Sequence, residues 1–344
     1  MEQPEGYRSE EHPDYACKLK KSLYGLKLSA RCWNTALDSY LKSNSYKQLD
    51  ADSCLYMKTV KMQNGKINFV ILSIHVDDIL IFSNDVVMLE DEKRAIGTKF
   101  KVEDLGEVGH ILGMLLMLIK RNRNSRTLTI SQSKYLEGVL KRFNMTECKS
   151  VSTPIEPGKQ FHELSESETP ANIHEYQKII GCLTYVTMAS RPDLAAAVGI
   201  LSKYKTKPSQ EHWKGVKRFL RYIKETMNFG ITFPDKGNTC ILTGYSDADW
   251  ANDTETRRST SGYIFQINGS TISWCSKKQF CVESRSTTEA EYMALSFVTQ
   301  EAIWLRRLLE NVGVKQKDQR LFTKITREQF NYQRTRNIII VRSI

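Results

Sequence analysis

The stretch Ile71-Leu-Ser-Ile-His-Val-Asp-Asp-Ile-Leu-Ile-Phe-Ser-Asn84 constrains this chain more than any other. Two apolar runs flank one acidic step, a pattern that predicts a β-hairpin with Asp77 and Asp78 at its tip. Carboxylates held side by side repel each other, and a divalent cation relieves that repulsion. Mg²⁺ suits such a place because it is commonly held by one or two carboxylates together with substrate phosphates. Two-metal phosphoryl transfer needs that arrangement. Asp-Asp is also ordinary turn chemistry, and on this stretch alone both readings stand.

The 344 residues are enough for about two or three domains. A hydrophobic content of 40% with 26% charged residues is ordinary for a globular protein. Lys+Arg 50 against Asp+Glu 39 leaves a formal charge of +11, which favours a polyanionic partner or serves solubility alone. The 8 cysteines are scattered, with no Cys-x-x-Cys pair, and the 6 histidines show no ligand spacing. This excludes a disulfide frame and a zinc site, and suits reduced intracellular thiols. The N-terminus, Met1-Glu-Gln-Pro-Glu-Gly6, is polar and acidic, unlike a signal peptide. No apolar run is long enough for a membrane span. An intracellular protein, cytoplasmic or nuclear and without a membrane partner, is expected.

A helix is predicted around 30–43, the hairpin over 67–84, and a second helix over 85–100 with Asp85 as N-cap. Strands are expected at 109–119 and 127–131 around a basic turn, Lys120–Arg126, followed by a helix near 133–143. Residues 148–172, rich in Ser, Thr, Pro and Glu, read as a linker. Helical patterns follow near 174–189, 192–205 and 209–226. The last carries Val216, Phe219, Leu220 and Ile223 on one face, while Lys214, Lys217, Arg218, Arg221 and Lys224 line much of the rest. That basic face is either solvated or turned towards nucleic acid.

From Cys240 the pattern changes to strands: 241–249, 262–267, 271–274, and a possible third at Phe280–Glu283. Asn268-Gly269 is the strongest short-range hairpin signal. Ser286-Thr-Thr-Glu289 reads as a capping box opening a long helix with its seam at Leu295, Val298, Ala302, Leu305 and Leu309, and Gly313 as its stop. Strand alternation puts Tyr245, Asp247 and Asp249 on one face, and Glu291 extends the helix seam by one turn. A strand acid and a helix-start acid meeting at a sheet edge could chelate Mg²⁺. Glu291 could equally serve only the helix dipole.

These strings, in this order, carry a resemblance. They are Met1–Gly6, Ser22-Leu-Tyr-Gly-Leu-Lys27 with Trp33, Val76-Asp-Asp-Ile79, Asp104-Leu-Gly106, Ser131-Gln132 with Lys134-Tyr135, and Thr153-Pro154. They continue with Arg191-Pro-Asp193, Leu220-Arg-Tyr222, Tyr245-Ser-Asp-Ala-Asp-Trp250, Ser259-Thr-Ser-Gly262 and Thr288-Glu-Ala-Glu-Tyr292. The chain resembles the Pol polyprotein of copia-type LTR retrotransposons, from the middle of its reverse transcriptase into its ribonuclease H domain, up to about Gly313.

The resemblance implies an α+β or α/β chain in three parts. Residues 1–147 would be a partial reverse transcriptase with palm and thumb-like regions, lacking the fingers and first palm strand. Residues 148–239 would be a linker and helical connection. Residues 240–344 would be a ribonuclease H-like mixed sheet with helices and a degenerate C-terminus. It makes Asp77 and Asp78 polymerase metal ligands, and Asp247 and Glu291 ribonuclease H ligands, with Mg²⁺ as cofactor and an RNA–DNA hybrid or template–primer as partner. Lys27, Lys217, Arg218, Arg221, Lys277 and Lys278 would face nucleic acid.

Departures from the family pattern are expected to weaken both centres. The polymerase's third acid belongs upstream of the segment matching Met1–Gly6. Leu28 stands where Gln is usual, and His75 where Tyr is commonest. Gln333–Ile340 resembles an eroded ribonuclease H segment, with Asn337 for His and Ile339 for Asp. The third ribonuclease H carboxylate falls at Asp318 or Glu328. A catalytically dead nucleic-acid-binding remnant and an unstable pseudogene product are the alternatives.

Overall fold

The computed structural model describes residues 1–23, 25–109, 117–235, 237, 240–249, 251, 253, 255–280 and 286–316, and the backbone of 322–324. The chain divides into two compact units, Met1–Asp104 and Leu105–Ile344. The division falls earlier than the expected domain boundary at 147/148.

In the first unit the described residues before Ser29 form no helix or strand. Helix α1 (Ser29–Ser43) is followed by strands β1 (Lys47–Gln48), β2 (Leu55–Lys61), β3 (Ile67–His75) and β4 (Asp78–Ser83), then helix α2 (Val86–Lys99). The strands form one antiparallel sheet in sequence order. Period-2 alternation buries Val70, Leu72 and Ile74 of β3 with Leu37 and Leu41 of α1, Tyr56 of β2 and Ile96 of α2. Asp85 caps α2 as expected, its side chain accepting from Met88 N at 2.9 Å.

The second unit begins its regular structure with β5 (Leu118–Asn122) and β6 (Thr127–Ser131), antiparallel, so the expected basic turn is half strand. Helix α3 (Ser133–Arg142) joins α4 (Ile173–Ala189), a 3₁₀ turn at Pro192–Leu194, α5 (Ala195–Ser202) and α6 (Gln210–Glu225) around one core. Leu136, Tyr176, Leu183, Leu194, Leu201, Val216 and Phe219 are among its most deeply buried members. The segment 148–172 carries no helix or strand, but it is pinned. Phe161 is buried in that core, and the Tyr204 hydroxyl donates to its carbonyl at 2.7 Å. Strand β7 (Gly230–Pro234), absent from the sequence expectation, adds to β6.

The last layer contains β8 (Leu242–Ala248), β9 (Thr260–Ile267), β10 (Ser270–Lys278), helix α7 (Thr287–Asn311) and β11 (Phe322–Lys324). Its sheet has the order β10-β9-β8-β11, with β11 parallel to β8, so it is mixed. Asn268 and Gly269 join β9 to β10 with φ of 53° and 85°, as a type I′ turn requires. Strand β10 runs through Lys278, and Phe280 lies beyond it; residues 281–283 of the expected third strand lie outside the described residues. Ser286 caps α7 by accepting from Glu289 N. The buried stripe of α7 is Ala290, Ala294, Val298, Ala302, Leu305 and Leu309. Its N-terminal half is therefore one position off the expected seam, because two alanines let the helix approach the sheet where Leu295 would hold it away.

Among the described residues no helix is long and apolar enough to cross a membrane. The described cysteines are all free.

Candidate functional site

The hairpin forms as expected. His75 pairs with Asp78 across the strands, leaving Val76-Asp77 as a two-residue loop. Asp77 is in the loop and Asp78 opens β4, and both are exposed. Val76 has φ +56°, a conformation that costs a β-branched residue energy and is usually left to glycine in such loops. The fold holds it there: Trp33 on α1 donates its indole N–H to the Val76 carbonyl at 2.7 Å. Strain maintained by a neighbouring element is common at functional sites. It fixes the backbone that carries the two adjacent carboxylates, with Asp78 on the sheet face opposite the buried Val70, Leu72 and Ile74.

Asp247 and Glu291 lie on two elements packed against each other, β8 and α7, with strand alternation putting Asp247 on the face away from Leu242 and the α7 seam. Asp247 is exposed near the end of β8, directly across from Gly262 on β9, which in turn pairs with Ser276 on β10. Glu291 is half-buried in the second turn of α7, beside the buried Ala290 and Ala294 and not on the stripe itself. Asp249 points elsewhere, its carboxylate accepting from Thr260 N. Among the described residues no three His, Cys, Asp or Glu side chains are grouped to hold a metal ion. A cation at either pair would take its remaining ligands from water and phosphate, which suits the oxygen preference of Mg²⁺. Asp318, Glu328, Asn337 and Ile339 lie outside the described residues.

The expected cations divide. Lys27, Lys217 and Lys277 are exposed; Lys217 sits over the Trp213 ring at 5.6 Å, and Lys277 over Phe280 at 4.8 Å. Arg218 and Arg221 instead hold the pinned segment: Arg218 donates to Thr153 Oγ1 at 2.9 Å and Arg221 to the Lys149 carbonyl. Lys224 completes the row with Cys148 O at 2.8 Å. Part of the polar side of α6 is thus occupied by this segment, while Lys214 and Lys217 stay exposed. Lys278 pairs with Asp253 at 2.7 Å, and Lys203 reaches the same oxygen at 2.6 Å.

Asp253 was missed from sequence. Burial alone would raise its pKa, but hydrogen bonds from Lys203, Lys278 and Thr256 outweigh it and hold the carboxyl well below the usual range. No periodic pattern marks it, since its lysine partners come from the residue after α5 and from β10. Arg191 is a second such residue, although its motif was visible. Its fully buried guanidinium forks onto Asp193 at 2.8 and 2.6 Å and also donates to the Thr226 carbonyl at 3.0 Å.

Comparison with known proteins gives the family. Residues 1–157 match the family described as reverse transcriptase (RNA-dependent DNA polymerase). Over 92% of its length the chain is 41% identical to the Retrovirus-related Pol polyprotein from transposon TNT 1-94 of Nicotiana tabacum, covering 24% of that protein. It is 38% identical over 92% of its length to the Pol polyprotein from transposon RE2 of Arabidopsis thaliana, covering 21%. An uncharacterized mitochondrial protein of Arabidopsis thaliana, AtMg00810, is 35% identical over 68% of this chain and 93% of its own length. The chain belongs to the copia-type retrotransposon Pol family, with a reverse transcriptase region at its N-terminal end. It spans 24% and 21% of the two Pol polyproteins.

Proposed function

We propose that this chain is a segment of a retrotransposon Pol protein whose family chemistry is RNA-directed DNA synthesis at the Asp77–Asp78 hairpin and cleavage of RNA in RNA–DNA hybrids at the Asp247–Glu291 pair. The carrying observation is the hairpin tip, where Trp33 holds the strained loop backbone that presents two adjacent, exposed carboxylates. The mixed sheet with α7 against it supports the second activity. Bound Mg²⁺ would neutralise phosphate charge and activate the attacking oxygen. The chain's own residues hold the hairpin backbone, cap α7 through Ser286, and set Ser276 on the Asp247 rung.

Both activities are weak in this polypeptide by itself. Among the described residues no third acid joins either pair to hold a metal ion, and Ile339, where the resemblance expects Asp, offers no oxygen ligand. With Mg²⁺ and a template–primer, extension and hybrid cleavage are expected close to background. Robust primer extension that disappears in Asp77→Ala would overturn the impaired polymerase, and hybrid cleavage that disappears in Asp247→Asn would overturn the impaired nuclease. Exposed Lys27, Lys217 and Lys277 favour a second reading, hybrid binding without catalysis.

A further inference from the structure

Gly262 lies inside β9, and nothing among the described residues asks for glycine there. Its backbone is outside the left-handed region, so any L-residue could adopt it. Among the described residues an added Cβ would meet the Cys275 carbonyl oxygen alone, at 3.7 Å, an ordinary van der Waals distance. Two other glycines of the chain are explained by packing. At Gly230 a Cβ would collide with the Ile130 carbonyl oxygen, and at Gly215 it would lie 2.8 Å from the Phe161 ring. A glycine within a strand weakens it, and often marks a place where a ligand or another backbone comes close.

What stands beside Gly262 is Asp247. The two are direct cross-strand partners, so they share a face with their Cβ positions about 5 Å apart. Ser276 continues the same rung on the far side. Asp247 is exposed and Gly262 half-buried, so the open space above the glycine joins solvent at the carboxylate.

We propose that Gly262 is a positioning residue of the Asp247 centre: its missing side chain leaves room for a phosphodiester of the bound strand to approach the Asp247 carboxylate. The inference rests on the reading of Asp247 as part of a nucleic-acid centre. It is tested in the full chain with Gly262→Ala, Gly262→Val and Asp247→Asn. The measurements are the thermal melt and the gain in RNA–DNA hybrid affinity on replacing EDTA with Mg²⁺, read by fluorescence anisotropy.

Gly262→Ala is expected to melt at or above the wild-type temperature while its Mg²⁺-dependent gain falls by about tenfold, a change of about 1.4 kcal/mol. Valine should reduce the gain further, and Asp247→Asn should abolish it. Full gain in Gly262→Ala alongside loss in Asp247→Asn would overturn the clearance role and leave the centre standing. No Mg²⁺-dependent gain in the wild type, or an equal gain in Asp247→Asn, would remove the centre and the inference with it. A lower melt for Gly262→Ala would show that the fold itself needs the glycine, which also overturns the proposal.

Discussion

His212 shows how one residue couples burial, capping and protonation. It occupies the third position of α6, where a capping box usually has Glu or Gln. Its Nδ1 accepts from Ser209 N at 2.8 Å, which requires that nitrogen to be unprotonated. The ring stacks on Tyr204 at 3.9 Å and is 1% exposed. Burial is the main cause that pushes its pKa below the ordinary value of about 6.5. A folded-state pKa below the unfolded one gives stability that is full above the unfolded value and is lost as pH falls through the folded value. The second unit should therefore melt at lower temperature as pH drops below about 6.5. His212→Gln keeps a cap acceptor without a titrating ring, and its melting temperature should be flatter over the same window. An equal slope in both proteins, measured by circular dichroism, would assign the effect elsewhere. His212→Ala should cost about 1 kcal/mol at pH 8 through the lost cap hydrogen bond. Arg191 makes a related point: its motif was readable, but only its burial with Asp193, Thr226 and the Phe229 ring at 5.5 Å shows it to be structural.

Elements with local periodicity were legible. Helices α1, α2, α3, α4 and α6 and the β3–β4 and β9–β10 hairpins lie where apolar spacing and turn chemistry put them. Strands β2 and β7 were not foreseen. The five residues of β7 are bounded by Gly230 and Pro234, and they become a strand through β6, more than a hundred positions earlier. The hairpin has a further consequence at this scale. Among the described residues β4 pairs only with β3, and Phe82 on it is 49% exposed, so an apolar edge faces outward. Unprotected edges of this kind recruit other chains. Phe82→Lys should reduce self-association, with a stability change within about 0.5 kcal/mol as for most surface positions. Light scattering across a concentration series measures this, and unchanged association would place the sticky surface elsewhere.

At the scale of the whole chain, the charge of +11 overstates the surface open to nucleic acid. Of the cations expected to bind it, Arg218, Arg221 and Lys278 are spent on Thr153, Lys149 and Asp253. Each phosphate neutralised steepens the log–log salt dependence of binding by about 0.9. With Lys27, Lys217 and Lys277 as the open set, hybrid affinity should fall with a slope of about −3 between 50 and 200 mM salt. A slope steeper than about −5, measured by fluorescence anisotropy, would mean that the cations of α6 leave their partners to bind.

The order of elements, the hairpin with Asp77 and Asp78, the capped start of α7 and membership of the Pol family were all written in the sequence, because each depends on residues a few positions apart. Tertiary structure alone decided which charges are available. Arg218 and Arg221 look like nucleic-acid ligands on a helical wheel, and they become internal fasteners because the 148–153 segment folds back beside them. Asp253 looks like a loop acid and becomes buried between two lysines. Val76 looks like a strand residue and becomes the strained support of two carboxylates because Trp33 arrives from another element. Periodicity records local geometry, whereas a charge, a cap or a strained turn takes its meaning from partners that only the folded chain brings near.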